Sequence, residues 1–195
     1  MNLRSGATIP VPNGPRRDHP AAAAPDLQRG NPMVQVSTAG QEDWGPISRM
    51  LELYQHDLSD LWDQDLDDRG EYGYEVARYG RDQRCQAFVF RVAGRYAGFA
   101  LVDDAVRLPR DEWWMAQFFV VRKYRRKGVG RLAAQAVFDG VRGRWEVGQM
   151  PMNHAAQAFW RCVIAGYTRG RWVEHRLDDT RWVGTLQCFD NALVE

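Results

Sequence analysis

Cysteine, histidine clusters, net charge and long apolar runs are all scarce in this chain, and each scarcity excludes a class of function. Cys85, Cys162 and Cys188 are odd in number and show no paired spacing. That pattern argues against a disulfide scaffold and for a reducing cytoplasm. His19, His56, His154 and His175 are scattered without ligand spacing, so no metal is expected. No apolar run approaches the roughly 20 residues needed to span a bilayer, and no membrane partner is expected. Formal net charge is +1, which provides no global field for nucleic acid. The basic residues between Arg122 and Arg131 form a local patch, but no aromatic-interleaved surface accompanies it, so no nucleic-acid partner is expected either.

Residues 1–32 stand apart. They are rich in Pro, Ala, Gly and Arg and have no apolar periodicity. So little apolar surface cannot offset chain entropy, and a disordered N-terminal tail is expected. The alanine run at 21–24 is too short and too weakly apolar for a signal-peptide core. Met33 opens the first strand-like run, and the sequence leaves open whether Met1 or Met33 is the native start. Residues 33–195 fit one domain of ordinary size.

Within that domain, residues 33–38 alternate as a strand, and apolar residues at Trp44, Ile47, Met50, Leu51, Tyr54, Leu58 and Leu61 recur with helical period. An acidic stretch, 63–71, and a Tyr-rich segment, 72–79, follow. Residues 86–92 and 96–102 read as strands joined by Ala93-Gly94-Arg95, a hairpin. A long strand at 112–121, a helix at 129–141, a strand at 145–150, a helix at 155–165 and strands at 168–175 and 181–189 complete the order. No internal repeat is visible.

The most informative stretch is QFFVVRKYRRKGVGRLAAQAVFDGV, Gln117 to Val141. An apolar run ends in a basic, glycine-containing loop, Arg125-Arg126-Lys127-Gly128-Val129-Gly130, which opens into an amphipathic helix. First-turn N–H groups lack intrahelical acceptors, the helix dipole favours negative charge there, and glycines admit a phosphate to the backbone. A Walker loop is excluded, because Gly128 and Gly130 are not followed by Lys-Ser/Thr. For a dinucleotide fingerprint, Ala133 stands at the third glycine position and Glu146 lies in the acidic window, but no repeating strand–helix–strand pattern surrounds them.

Arg125-x-x-Gly128-x-Gly130 after a hydrophobic strand resembles the acyl-CoA loop of the GNAT superfamily, the acyl-CoA-dependent N-acyltransferases. Downstream, Asn153-x-x-Ala156-x-x-Phe159-Trp160 and then Gly166-Tyr167 resemble a second motif of that superfamily, on the helix after the fifth strand. The resemblance covers Met33 to about Asp190. It implies an α/β (α+β) fold: a mixed, mostly antiparallel central sheet flanked by helices, with the fourth and fifth strands splayed. It implies acetyl-CoA as co-substrate, with its pantetheine arm inserted between those strands. Phe118, Phe119 and Val120 would then contact the arm, the Val120 N–H lying near the thioester carbonyl. Arg125, Arg126, Lys127, Gly128, Val129 and Gly130 would hold the pyrophosphate, and Asn153 a pantetheine amide. Asn153 also reads as a plain helix N-cap, and the two roles are compatible.

Two positions depart from the superfamily pattern. Gln117 stands where many members place a glutamate that deprotonates the amine through water, and an amide accepts no proton usefully. Trp160 stands where a tyrosine would protonate the departing thiolate, and indole is far too weak an acid. Trp160 reads instead as a core or pocket-wall aromatic. On the acceptor side, the first helices and the loop between them carry Tyr54, His56, Asp57, Asp60, Tyr72 and Tyr74, with the acidic run from Asp63 to Glu71. The run is either a solvated face or an acidic, aromatic lip that attracts a cationic amine. The expected activity is N-acetylation of a small, cationic amine by a monomer or homodimer. Acetylation of a protein lysine or N-terminus, and a non-catalytic acyl-CoA-binding module, remain alternatives.

Overall fold

The computed structural model describes residues 33–193, so the expected tail at 1–32 lies outside the described residues. Short runs rich in apolar, aromatic and β-branched residues, continuous in the central strands because both faces of the sheet are covered, produce seven strands: β1 (Val34–Thr38), β2 (Gln86–Val92), β3 (Arg95–Asp103), β4 (Trp113–Val120), β5 (Arg144–Gln149), β6 (Val173–Asp178) and β7 (Val183–Asp190). They form one mixed sheet in the order β1-β2-β3-β4-β5-β7-β6. Every pairing is antiparallel except β4–β5, which is parallel.

Helices cover both faces. On one face lies α1 (Trp44–Trp62), which buries Ile47, Met50 and Leu51 against Val89, Phe99, Leu101 and Phe119. On the other lie α2 (Val129–Gly140) and α3 (His154–Thr168), whose Ala133, Val137, Phe138, Trp160 and Ile164 pack on Phe90, Met115, Trp145 and Val147. The i, i+3, i+4 spacing of these residues gives each helix one apolar stripe for its face of the sheet. Pro46 sits in the first turn of α1, where a missing N–H costs nothing. Gly98 lets β3 approach β4 closely, because a Cβ there would lie 2.1 Å from the Phe119 carbonyl oxygen.

The order of strands and helices follows the expectation, with two differences. The acceptor side has one long helix rather than several. Asp63 takes a left-handed conformation that ends α1, and residues 64–76 continue as irregular chain to a 3-10 turn, Ala77–Gly80. The strand expected at 168–175 begins at Val173, because α3 runs on to Thr168, whose Oγ1 donates to the Ile164 carbonyl. Arg169 and Gly170, both at positive φ, supply the stop.

Candidate active site

The site begins where β4 and β5 part. Their register holds only Trp113↔Trp145 and Trp114↔Glu146, after which the strands separate. On its other side β4 carries a bulge, since Leu101 pairs Gln117 while Val102 pairs Met115, leaving Ala116 as the extra residue. A bulge bends its strand and increases the local twist. The Trp114 indole lies over Gly148 of β5, where a Cβ would sit 2.3 Å from the ring.

Beyond the split, β4 has an edge without a strand partner. The Val121 N–H donates to Ala97 O of the β3 side at 2.9 Å. Strand alternation therefore turns the N–H and C=O of Val120, and of Phe118, toward the gap. The Val120 carbonyl is taken by Arg125 Nε at 2.6 Å. A cavity of about 420 Å³ runs through this opening from one face of the sheet to the other. On the α1 face its walls include Tyr54, Trp62, Tyr79, Asp103, Arg107 and Trp114. Gln117 lies along it, and on the α3 face Phe118, Gln149, Asn153 and Trp160 close it.

The basic loop sits at the end of β4. Arg126 (φ 62) and Gly128 (φ 79) are left-handed, so the chain curls before α2. The first intrahelical bond recorded there is Leu132 N–H to Gly128 O, which leaves the N–H groups of Val129, Gly130 and Arg131 pointing out of the first turn. Arg126 and Lys127 are exposed beside them. At Gly130 a Cβ would press the Phe159 ring at 3.2 Å, so the glycine keeps the loop close to α3.

The expected site residues divide into three groups. Gln117, Phe118, Asn153, Trp160 and Tyr54 line the cavity together. Asn153 also caps α3, its Oδ1 accepting the Ala156 N–H at 3.1 Å, while its amide NH₂ is left over. Trp160 is buried, with its ring edge-on to Phe118 at 4.9 Å and Phe159 at 5.0 Å. Phe119 points to the α1 face, against Phe99 and Tyr54.

Asp57 goes elsewhere. It accepts hydrogen bonds from Arg125 and Arg122, joining α1 to the basic loop rather than facing the cavity. Burial pushes its carboxyl up, but the two guanidinium groups outweigh burial and hold it below the usual carboxylate range. His56 and Tyr72 meet each other, Nδ1 to OH at 3.2 Å, and neither lines the cavity. Within the acidic run Asp67 serves its own loop, accepting the Arg69 and Glu71 N–H groups at 2.9 Å each, and none of the run's carboxylates lines the cavity.

Several wall residues escaped the sequence. Asp103 accepts from Tyr79 OH at 2.7 Å, Arg78 Nη2 at 2.8 Å and Ala105 N–H at 3.0 Å. Burial, reinforced by the Asp103 hydrogen bond, pushes the Tyr79 phenol well up, and burial does the same for Tyr54, so both stay protonated. The Arg107 guanidinium lies 4.7 Å from the Trp114 ring centre and 5.7 Å from that of Trp182. The Trp113-Trp114 pair held a usable signal, since alternation must put one ring on each face of β4. Arg78 and Tyr79 lie on a short 3-10 turn and Arg107 on irregular chain, and none of the three carried a signal.

Among the described residues, no group of three or more His, Cys, Asp or Glu is placed to hold a metal ion. Likewise, no helix among them is long and apolar enough to cross a membrane.

Known structures of the same architecture are numerous. An acetyltransferase from Thermus thermophilus superposes with a TM-score of 0.56 at 18% identity, over 80% of this chain and 94% of that one. The spermidine N-acetyltransferase of Vibrio cholerae, solved with CoA and spermine, gives 0.54 at 11% identity over 82% and 96%. The ribosomal-protein-S18-alanine N-acetyltransferase of Escherichia coli gives 0.52 at 15% identity over 81% and 94%. At these identities the likeness is one of fold. No curated protein matches by sequence. The profile of the acetyltransferase (GNAT) family matches residues 47–163, more than half of the chain. With that match and the split β4–β5 pair, the chain belongs to the GNAT acetyltransferase family.

Proposed function

We propose that this protein transfers the acetyl group of acetyl-CoA to a primary amine of a small molecule. The observation that carries the reading is the open edge of β4, lying beside a cavity that crosses the sheet and ending at a loop of outward N–H groups. The residues suit the ligand. Positive φ at Gly128 curls the loop into the first turn of α2, the missing Cβ at Gly130 seats that turn against Phe159, and the cationic side chains of Arg126 and Lys127 flank its outward N–H groups. The left-over Asn153 amide and the β4 edge offer donors and acceptors to an extended, amide-bearing arm. The walls of the α1 face make the acceptor side a chamber rather than a groove, which favours a small molecule over a protein tail.

Acetyl-CoA supplies an acetyl carbonyl activated as a thioester. The Val120 N–H, turned into the gap, is the donor for negative charge that develops on that carbonyl oxygen. The amine nitrogen bonds to the carbonyl carbon, the C–S bond breaks with its electrons on sulfur, and a proton lost from nitrogen restores the thiol. Gln117 holds a water or the amine by hydrogen bonding and takes no proton. Asp103 already accepts three hydrogen bonds, and the phenols of Tyr54 and Tyr79 stay protonated. The acceptor therefore gives up its ammonium proton to water before it attacks.

Release of free thiol from acetyl-CoA, measured across amino acids, polyamines, aminoglycosides and short peptides, tests the activity. Turnover with any acceptor removes the non-catalytic module. The pH profile tests the mechanism. The rising limb of kcat/KM should move with the pKa of the acceptor amine when acceptors of different basicity are compared. A limb that stays fixed across acceptors identifies a base on the protein instead.

A further inference from the structure

Three charged side chains line the cavity: Arg78, Asp103 and Arg107. Arg78 and Asp103 neutralise each other at 2.8 Å. Arg107 has no ion-pair partner among the described residues, although Nη1 donates to the Ala105 carbonyl at 2.7 Å. Nη2 makes no hydrogen bond to a described side chain or backbone group, and Nε is buried without an acceptor. The indole Nε1 of the neighbouring Trp182 is buried without an acceptor as well. Of the carboxylates of α1 and its following loop, where a cationic acceptor was expected to dock, Asp57 is turned to Arg122 and Arg125 and Asp67 to its own loop, and none of them lines the cavity.

The position of Arg107 is built. The Glu146 carboxylate, at the last β4–β5 pair, accepts the backbone N–H groups of Arg107 and Leu108 at 2.6 Å each, anchoring this turn to β5. Trp114 and Trp182, edge to face at 5.2 Å, hold the flat guanidinium between them and the cavity. A guanidinium with its plane fixed by aromatic contact presents a forked donor pair, the geometry that suits a carboxylate. Leaving that half-buried charge without a counter-ion is costly, and an anionic ligand group relieves it.

We infer that the acceptor is a small amino carboxylate whose carboxylate group is received by Arg107 while its amine lies toward Gln117 and the Val120 N–H. The inference rests on the acetyl-transfer reading above and narrows its substrate. A cavity of about 420 Å³, shared with the thioester end of the co-substrate, suits an acceptor of amino-acid size.

The test compares matched acceptors on the full chain: free amino acids and short ω-amino acids, each against its carboxamide. The carboxylate form of the preferred acceptor should exceed its amide in kcat/KM by about tenfold or more, the size of a charge-assisted contact. Arg107→Gln should raise the acceptor KM by a similar factor, abolish the preference over the amide, and leave acetyl-CoA affinity by calorimetry unchanged. Arg107→Lys should restore part of the preference. Equal turnover of acid and amide, better turnover of polyamines, or no turnover of any amino carboxylate by a protein that binds acetyl-CoA overturns the inference alone. Failure of the wild-type protein to bind acetyl-CoA overturns the acetyl-transfer reading beneath it.

Discussion

Glu146 is a carboxyl with no exposed surface at the point where two strands separate. Burial pushes it up to about 7; the Arg107 and Leu108 N–H groups pull it back, and the nearby Asp111 carboxyl adds to the rise. The folded protein therefore holds this proton more tightly than the unfolded chain, where the group titrates near roughly 4.3. Its contribution to stability is complete below that value and is lost as pH rises through about 7. Urea unfolding at pH 5 and pH 8 should show the wild type losing stability across this window. Glu146→Gln should show a flatter dependence, even if it is less stable throughout. An unchanged slope would mean that Glu146 is already ionised at pH 5. None of this was legible in the sequence, where Glu146 drew notice only as an acidic partner for a dinucleotide fingerprint. The groups that bury and bond it come from 38 and 39 residues away. Gln117 was legible as a site residue through the resemblance, as the counterpart of a glutamate on the fourth strand. Arg107, on irregular chain, was not.

The elements with strong periodicity were read correctly, for local reasons. Helices α2 and α3 each carry an apolar stripe and a recognisable start, and the β2–β3 hairpin has Gly94 at φ 73 in its turn. More than one helix was expected on the acceptor side, and the segment after α1 departs from that because its conformation is set by contacts from outside it. Glu52 of α1 accepts the Tyr72 and Gly73 N–H groups at 2.7 and 3.3 Å, and Gly70 and Gly73 take positive φ, so a second helix does not form. The β3–β4 pair offers the clearest test at this scale. Gly98→Ala drives a methyl group into the Phe119 carbonyl, a backbone atom that cannot move without breaking the ladder. Overpacking of this kind costs about 1–3 kcal/mol, and Gly98→Ala should unfold at correspondingly lower urea. An unaffected midpoint would show that β3 and β4 stand further apart than described.

Taken whole, the sheet is two antiparallel blocks, β1–β4 and β5-β7-β6, held edge to edge by two residue pairs of β4 and β5. That strands four and five would splay was legible through the resemblance. The chamber behind them was not, because its walls come from α1, α3, β3, β4, β5 and the connecting segments between them, which meet only in the folded molecule. A ligand lying along the β4 edge bridges the blocks and should stabilise both. At a hundredfold excess over Kd the gain is about 2.7 kcal/mol, which for a domain of this size raises Tm by roughly 5–10 °C. Thermal unfolding with and without acetyl-CoA measures it. Gly130→Val, which crowds Phe159, should lose most of the shift. A wild-type Tm indifferent to acetyl-CoA would contradict binding across the split. The helix α1 adds a further constraint, since it lends Asp57 to the basic loop and Tyr54 to the chamber. If acetyl-CoA binds as proposed, a phosphate that claims Arg125 would compete with the Asp57 carboxylate and so loosen or reseat α1, a wall of the acceptor chamber. Free energies at the two ends are then linked, and by thermodynamic reciprocity any factor by which the cofactor alters acceptor affinity is returned in full by the acceptor.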